Sequence, residues 1–320
     1  MVTGQNRKTP SISFFIPAYN CAATIEESVN SIMETNFIDG DELIIANDFS
    51  TDDTAAVLKR LKEKYPAIIV VDHKRNKGGA ATRNTAIENT GNELLFCLDS
   101  DNVLEKNSIQ SLKEFLIAEN ADVASFKEIR YFAAVTSVVD EIWTHDSGVF
   151  TIEDLLCGKL APGGSGNYLF TKNSWKNANG YTEDLGALDT WSFGFKQLME
   201  NCKMVVMPGS YYFHRRGHES YYIRDAWNKR KSVSLRLIKL IINYIDRIHP
   251  DDVNYIFSKK GRFNWFERLE RHPIRLIEKA TTDAIWEEHE IKVGLIKTAG
   301  NKLKHYKNRL SQVLKQKKNG

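Results

Sequence analysis

Between Ser11 and Phe126 this chain alternates short, continuously apolar runs with stretches of helical periodicity. The runs are Ser11–Ile16, Glu42–Ala46, Ala67–Val71, Glu93–Leu98 and Asp122–Phe126. A strand apolar on both sides is covered on both faces, and a helix between two such strands returns the chain to begin a parallel neighbour. The pattern therefore predicts an α/β fold around a mainly parallel, Rossmann-like sheet. Pro17 is expected to end the first strand. Helices are predicted over Cys21–Thr35, with Ile25, Val29, Ile32 and Met33 on one face, then from the NDFSTDD cluster to about Lys64, over Ala80–Asn89 and over Ser108–Ala118. Sites in such sheets lie at the carboxyl ends of the strands, so the loops after Ile16, Ala46, Val71 and Leu98 are predicted to converge on one crevice.

Composition adds the second constraint. Of 320 residues 42% are hydrophobic and 27% charged, which excludes a disordered or collagen-like chain. No run of about 18 apolar residues occurs, so no membrane-spanning helix is expected. The N-terminus lacks the apolar stretch of a secretory leader. Cys21, Cys97, Cys157 and Cys202 lie far apart without a C-x-x-C pair, which points to a reducing cytoplasm rather than to a disulfide framework or a zinc site. The net charge of +3 conceals an asymmetry: 21 basic against 30 acidic residues up to 220, then 23 against 11. This predicts an acidic domain over 1–220 followed by a basic, helical C-terminal extension over 221–320, clearest at Val233–Ile248 and Ile291–Leu314. No acid follows Glu290, while Leu295, Ala299, Leu303, Tyr306, Leu310 and Val313 recur at helical spacing. Such a face suits an anionic membrane surface, or packs on the front domain or on a second subunit as a homo-oligomer. No nucleic-acid motif accompanies the charge, so no nucleic-acid partner is expected.

Four segments at the predicted strand ends carry chemistry. Asp99-Ser100-Asp101 sets two carboxylates one residue apart at a β-terminus, where they can share a hard divalent cation with phosphate oxygens, although the same triplet is good turn chemistry. Pro17-Ala18-Tyr19-Asn20 is an aromatic and polar turn able to hold a base ring, or simply a strand-to-helix turn. In Asn47–Asp53, Asp48 is read as facing a ligand and Ser50 with Asp53 as a capping pair. Asn76-Lys77-Gly78-Gly79 with Arg83-Asn84 combines close backbone approach with cations for phosphate. Neither a G-x-G-x-x-G nor a P-loop pattern is present.

These segments, in this order, resemble the PAYN-like, DDGSTDDT-like, NKGG…ARN-like and DxD segments of family 2 glycosyltransferases of the GT-A fold. The resemblance covers about residues 11–218, with departures at Asn47 (usually Asp) and Phe49 (usually Gly). It implies a GT-A catalytic domain, with a nucleotide-sugar half over about 11–130 and an acceptor half over 131–220. It also implies metal-dependent, inverting transfer of a hexosyl or N-acetylhexosaminyl group from a nucleotide diphosphate sugar, a UDP-sugar, to a hydroxyl. The acceptor is a glycan or lipid-linked molecule in polysaccharide or glycoconjugate synthesis. Pro17, Ala18, Tyr19, Asp48, Lys77, Arg83, Asp99 and Ser100 are then expected at the nucleotide sugar. Asp101, Asp99 and His214 (or His218) are expected at Mn²⁺ or Mg²⁺. The general base lies in an E-D pair opening a helix, which matches Leu188-Asp189 with the first acid replaced. Asp189 is the expected base, with Glu183 and Asp184 behind it. Trp143, Trp191 and Gly164 are assigned to the acceptor side, with His145 and Trp175 as weaker members. Arg215 and Arg216 face phosphate or solvent. The expected location is cytoplasmic, peripheral at the inner face of the membrane.

Two other readings stand beside this one. An inactive GT-A-fold binding or assembly subunit is kept alive by Leu188 and Asn47. A sugar-phosphate nucleotidyltransferase would need a glycine- and arginine-rich phosphate loop directly after the first strand, where this chain has Pro17–Asn20.

Overall fold

The computed structural model describes residues 10–216, 225 and 230–277. They fall into two compact units, one from 10–150 and 161–216, the other from 151–160, 225 and 230–277.

The first unit opens as the apolar alternation predicts: β1 (Ile12–Ala18), α1 (Ile25–Met33), β2 (Glu42–Asn47), α2 (Thr54–Lys64), β3 (Ile68–Asp72), α3 (Gly79–Glu88) and β4 (Leu94–Cys97). There follow β5 (Val103–Leu104), α4 (Ser108–Ala118), β6 (Val123–Phe132), β7 (Glu141–Thr144) and β8 (Gly148–Phe150). The strands β3-β2-β1-β4 lie side by side and are all parallel. Each of α1, α2 and α4 turns an apolar stripe inward: Ile25, Val29 and Ile32; Val57, Leu58 and Leu61; Ile109, Leu112 and Leu116.

Beyond β4 the sheet changes character. β9 (Leu169–Thr171) enters antiparallel between β4 and β6, and β10 (Met204–Arg215) runs parallel to β6. The helices α6 (Lys172–Asn177) and α7 (Asp189–Met199) lie between β9 and β10 in the chain. The chain is thus α/β with a largely parallel sheet whose second half is mixed. Alternation along each strand sends Phe14 and Phe96 to one face, where rings continue through Phe126 to Tyr212 at centroid spacings of 6.0, 6.2 and 5.6 Å. Phe15 goes to the other face, against Phe170, which meets Phe193 and Tyr168.

Two local expectations change. The first strand does not end at Pro17 but continues through it, with Pro17 beside Ala46 and Ala18 beside Asn47. Ala18 O accepts from Asp48 N–H on the β2 side, while Phe15 O accepts from Leu98 N–H on the β4 side. Alternation then aims the missing N–H of Pro17 toward β4, whose pairing stops at Cys97, so no ladder bond is lost. Phe49 holds the left-handed conformation that a glycine would take, at φ +60°, with the residue 52% exposed.

The second unit holds α5 (Ile152–Leu156), capped by a Thr151–Asp154 box, α8 (Arg230–Ile241) and α9 (Pro250–Phe257), with 3₁₀ turns over Ile242–Arg247, Gly261–Phe263 and Phe266–Arg268. The helix expected over Val233–Ile248 is therefore α8 followed by a tighter turn. Trp265 is buried and its Nε1 donates to Ser234 O at 3.0 Å. The stretch Ile291–Leu314 and His218 lie outside the described residues. Among the described residues no helix is long and apolar enough to cross a membrane.

A left-handed non-glycine residue costs about 1–2 kcal/mol, of which glycine's extra chain entropy returns about 0.5–1 kcal/mol. Phe49→Gly is therefore expected to unfold at the parent's midpoint or a little above it in a thermal melt. A midpoint several degrees lower would show that the ring, despite its exposure, is packed.

Candidate active site

The ends of β1 and β2 are laced together before they open into the crevice. Asn20 N–H donates to Ser50 Oγ (3.0 Å) and Thr51 N–H to Asn20 Oδ1 (2.8 Å). Tyr19 projects from this rim half in water, at 49% exposure. Asn47 explains its own departure from aspartate. Its Nδ2 donates to Asp72 Oδ1 (2.8 Å) and its Oδ1 accepts from Ser50 Oγ (2.6 Å). A second carboxylate there would repel Asp72 rather than bind it.

Asp48 does not lie open to a base. It is buried, and its carboxylate accepts from the main-chain N–H of Lys77 and of Gly78 (both 2.8 Å) and meets His73 Nδ1 at 2.7 Å. It holds the glycine loop, because those donors have claimed both its oxygens. The Lys77 side chain is exposed.

Arg83, on α3, is the centre of the site. Its Nη2 donates to Asp99 Oδ1 (2.6 Å) and its Nη1 to Asp189 Oδ2 (2.8 Å). The guanidinium is held charged by these two carboxylates against its burial. Gly79 is required beside it: a Cβ there would stand 2.9 Å from Arg83 Nη1 and 3.3 Å from Asp189 Oδ2. Asn84 secures the next turn, accepting from Tyr181 N–H (2.8 Å) and Trp175 Nε1 (3.2 Å) and donating to Tyr181 O (3.0 Å). Arg83 thus faces carboxylates in this structure.

Asp99 and Asp101 are not equivalent. Asp99 is held on both carboxylate oxygens. Besides Arg83, its Oδ2 accepts from Asn167 Nδ2 (3.1 Å) and its N–H donates to Asn167 Oδ1 (2.8 Å). Asp101 has no side-chain hydrogen bond among the described residues, and burial, reinforced by Asp99, pushes its carboxyl up to about 7. Ser100 O accepts from Thr24 Oγ1 (2.9 Å). Asn102 ties this turn to β10, accepting from Arg215 N–H (3.0 Å) and donating toward His214 Nδ1 (3.3 Å).

The Nδ1 of His214 lies 3.3 Å from Asn102 Nδ2 and 3.2 Å from the Tyr212 hydroxyl, so the tautomer of the ring sets which contact it makes. Burial lowers its affinity for a second proton. Among the described residues no group of three or more His, Cys, Asp and Glu is arranged to hold a metal. Arg215 is also committed: it reaches Asp101 O (3.2 Å), Ala133 O (3.1 Å) and the Glu27 carboxylate.

Asp189 opens α7 at 4% exposure, and the helix is not capped by it: Leu188 holds the N-cap position. Burial raises its proton affinity, Arg83 opposes that, and Thr190 N–H donates to its Oδ1 (2.9 Å). Glu183 and Asp184 are exposed. The loop before β9 reaches the same place. Thr190 Oγ1 donates to Gly164 O (3.0 Å), and a Cβ on Gly166 would lie 3.6 Å from Asp99 Oδ2. Trp191 stacks on Phe195 at 5.7 Å. Trp143, 42% exposed, packs on Tyr131 (5.1 Å), which packs on His214 (5.0 Å). Trp175 serves Asn84, and His145 is buried. Asn102, His73 and Tyr131 carry no motif that marks them in sequence, and only the fold brings them here.

A half-parallel α/β sheet with acidic groups gathered at its carboxyl edge is the architecture of the GT-A fold. Comparison with known proteins gives the family: the sequence profile of glycosyl transferase family 2 matches residues 13–170. The chain belongs to that family. It is 37% identical over 110 residues to the hyaluronan synthase of Pasteurella multocida, covering 34% of this chain and 11% of that protein. It is 29% identical over 108 residues to the poly-β-1,6-N-acetyl-D-glucosamine synthase of Staphylococcus epidermidis, covering 34% and 26%. The chain thus matches only a minor part of these relatives' lengths. Among solved structures, Staphylococcus aureus TarS 1–349 in complex with UDP-GlcNAc superposes with a TM-score of 0.64 at 16% identity, covering 92% of this chain and 82% of that one. The mannosyltransferase PcManGT of Pyrobaculum calidifontis, in complex with GDP-Man and Mn²⁺, gives 0.56 at 16% identity, covering 96% and 84%. At these identities the likeness is one of fold.

Removing Arg83 leaves the buried Asp189 and the partly buried Asp99 without their counter-charge, a loss of about 3–5 kcal/mol. Arg83→Met is expected to show that deficit in denaturant unfolding at pH 8. With the cation gone, the folded state takes up a proton at Asp189, whose affinity burial already raises. The deficit should therefore shrink as pH falls toward 5. A deficit that grows in acid would contradict the pairing.

Proposed function

We propose that this chain is a metal-dependent, inverting glycosyltransferase that moves a sugar from a nucleoside diphosphate sugar, a UDP-sugar, to a hydroxyl of a glycan or lipid-linked acceptor. The observation that carries this reading is the cluster at the carboxyl edge of the sheet. There Arg83 joins Asp99 to Asp189, and Asp101 is left without a side-chain partner.

Asp101 fits a hard cation. It is an oxygen donor whose proton affinity is raised by burial and by the charge of Asp99, against the opposing pull of Arg215 and Arg83. Asp101, with Asp99 beside it, would hold Mn²⁺ or Mg²⁺, leaving the remaining positions to phosphate oxygens and water. Such an ion supplies neutralisation of the charge that develops on the departing diphosphate.

The protein's own groups divide the rest of the work. Asp189 accepts the proton of the attacking hydroxyl. Burial makes it a stronger base than a surface carboxylate, and Arg83 keeps it ionised for that task. Attack aided from the side opposite the leaving group inverts the anomeric centre. Tyr19, with the main chain of Pro17 and Ala18, borders the base. Lys77 and Ser100 lie toward the diphosphate. Gly164, Trp191 and Trp143 lie toward the acceptor. His214, beside Asn102, would face the metal or the diphosphate. The relatives named above are polysaccharide synthases, which supports a glycan or lipid-linked acceptor. Association with an anionic membrane surface or a second copy through 221–320 belongs to the same reading.

The test is nucleotide binding and turnover with metal. UDP with Mn²⁺ is expected to raise the melting temperature, and Asp101→Ala to abolish that shift. Asp189→Asn should keep the shift and lose about 10²–10⁴-fold in sugar release from a UDP-sugar panel. A parent protein that binds no nucleoside diphosphate with metal would defeat the proposal. An undiminished Asp189→Asn would move the base elsewhere.

A further inference from the structure

We infer that His73 is a positioning residue for the donor side of this site, a strap that fixes the 76–79 loop and α3 before a nucleotide arrives. The inference rests on the reading of that loop as the donor-diphosphate side.

His73 follows β3 directly and is 7% exposed. Its N–H donates to Asn47 O (2.9 Å). Its ring uses both nitrogens on protein: Nδ1 lies 2.7 Å from Asp48 Oδ1, and Nε2 lies 3.0 Å from Thr85 Oγ1. One imidazole therefore joins the end of β2, the end of β3 and helix α3. Neither nitrogen is left for a substrate, so the ring acts through what it holds.

What it holds is consequential. The Asp48 carboxylate receives the N–H groups of Lys77 and Gly78, and Asn76 Nδ2 donates to Asp48 O (3.3 Å). His73 is the only side chain among the described residues bonded to that carboxylate, so it selects the direction in which Asp48 presents its oxygens. Two residues before Thr85 on the same helix stands Arg83, whose fork reaches Asp99 and Asp189. The gap at Gly79 is too narrow for a methyl group, so a small shift of the start of α3 disturbs these pairs. The strap also holds in either charge state. When the imidazole is neutral the Thr85 hydroxyl donates to Nε2, and when it is protonated the hydroxyl accepts.

The test compares His73→Phe, which fills the space without nitrogens, with His73→Gln, whose amide can donate to Asp48 and accept from Thr85. Amide hydrogen exchange over residues 74–84 is expected to quicken in His73→Phe and to return toward the parent in His73→Gln, with the rest of the sheet unchanged. The KM for the UDP-sugar should rise about tenfold in His73→Phe, with kcat changed by less than about threefold. Thr85→Val should act in the same direction, and the double variant should be no worse than His73→Phe alone. Parent-like exchange over 74–84 in His73→Phe would overturn the strap. Quickened exchange with an unchanged KM would overturn its donor-side role. If the parent itself binds no UDP with Mn²⁺, the functional reading fails and the donor-side role fails with it, while exchange still reports on the strap.

Discussion

The guanidinium of Arg83, shared between Asp99 and Asp189, is the contact on which the rest of the site depends. Each of those carboxylates is costly to bury alone. One planar fork with two terminal nitrogens satisfies both at 2.6 and 2.8 Å, which a single ammonium cannot do with the same geometry. Asp99 follows a strand of the parallel half, Asp189 opens a helix that leads into the mixed half, and Arg83 comes from α3. The ion pairs are therefore also a structural joint. Gly79 leaves room for it, Asn84 anchors the turn beside it, and Asn167 steadies Asp99 from the β9 side.

The two acids of the Asp99–Asp101 triplet are separated in role by this joint. Arg83 and Asn167 each bond one oxygen of Asp99, whereas Asp101, next door but one, meets only its own main chain and the fields of its neighbours. Equal chemistry in sequence becomes unequal chemistry in space. The fixed member locates the edge of the strand, and the unsatisfied member keeps the capacity to bind.

Much of this was legible from residue order. Continuous apolar runs announce strands covered on both faces, and the parallel set β3-β2-β1-β4 follows from helices between them. The acidic triplet at the end of β4 and the glycine loop before α3 were visible for the same reason. What remained hidden depends on where hydrogen bonds point. Pro17 sits inside a strand because its missing donor faces a neighbour that has already ended. Asp48 reads as open to a ligand until the loop N–H groups of Lys77 and Gly78 are found on it. Asn47 departs from the family's aspartate because Asp72 stands opposite, a pairing that spans 25 residues and leaves no local signal.

The mixed half of the sheet has a different task from the parallel half. Antiparallel β9 brings Asn167 to Asp99 from a loop that a parallel connection would have carried to the opposite end of the sheet. β10 runs twelve residues, shifts register between Met207 and Tyr211, and so delivers His214 and Arg215 beside Asp101 and Asn102. The ring column from Trp143 through Tyr131 to His214 then extends from the exposed β7 hairpin to the acidic edge. A parallel sheet alone gathers loops at one rim. Reversing one strand and bulging another is what encloses that rim on its second side.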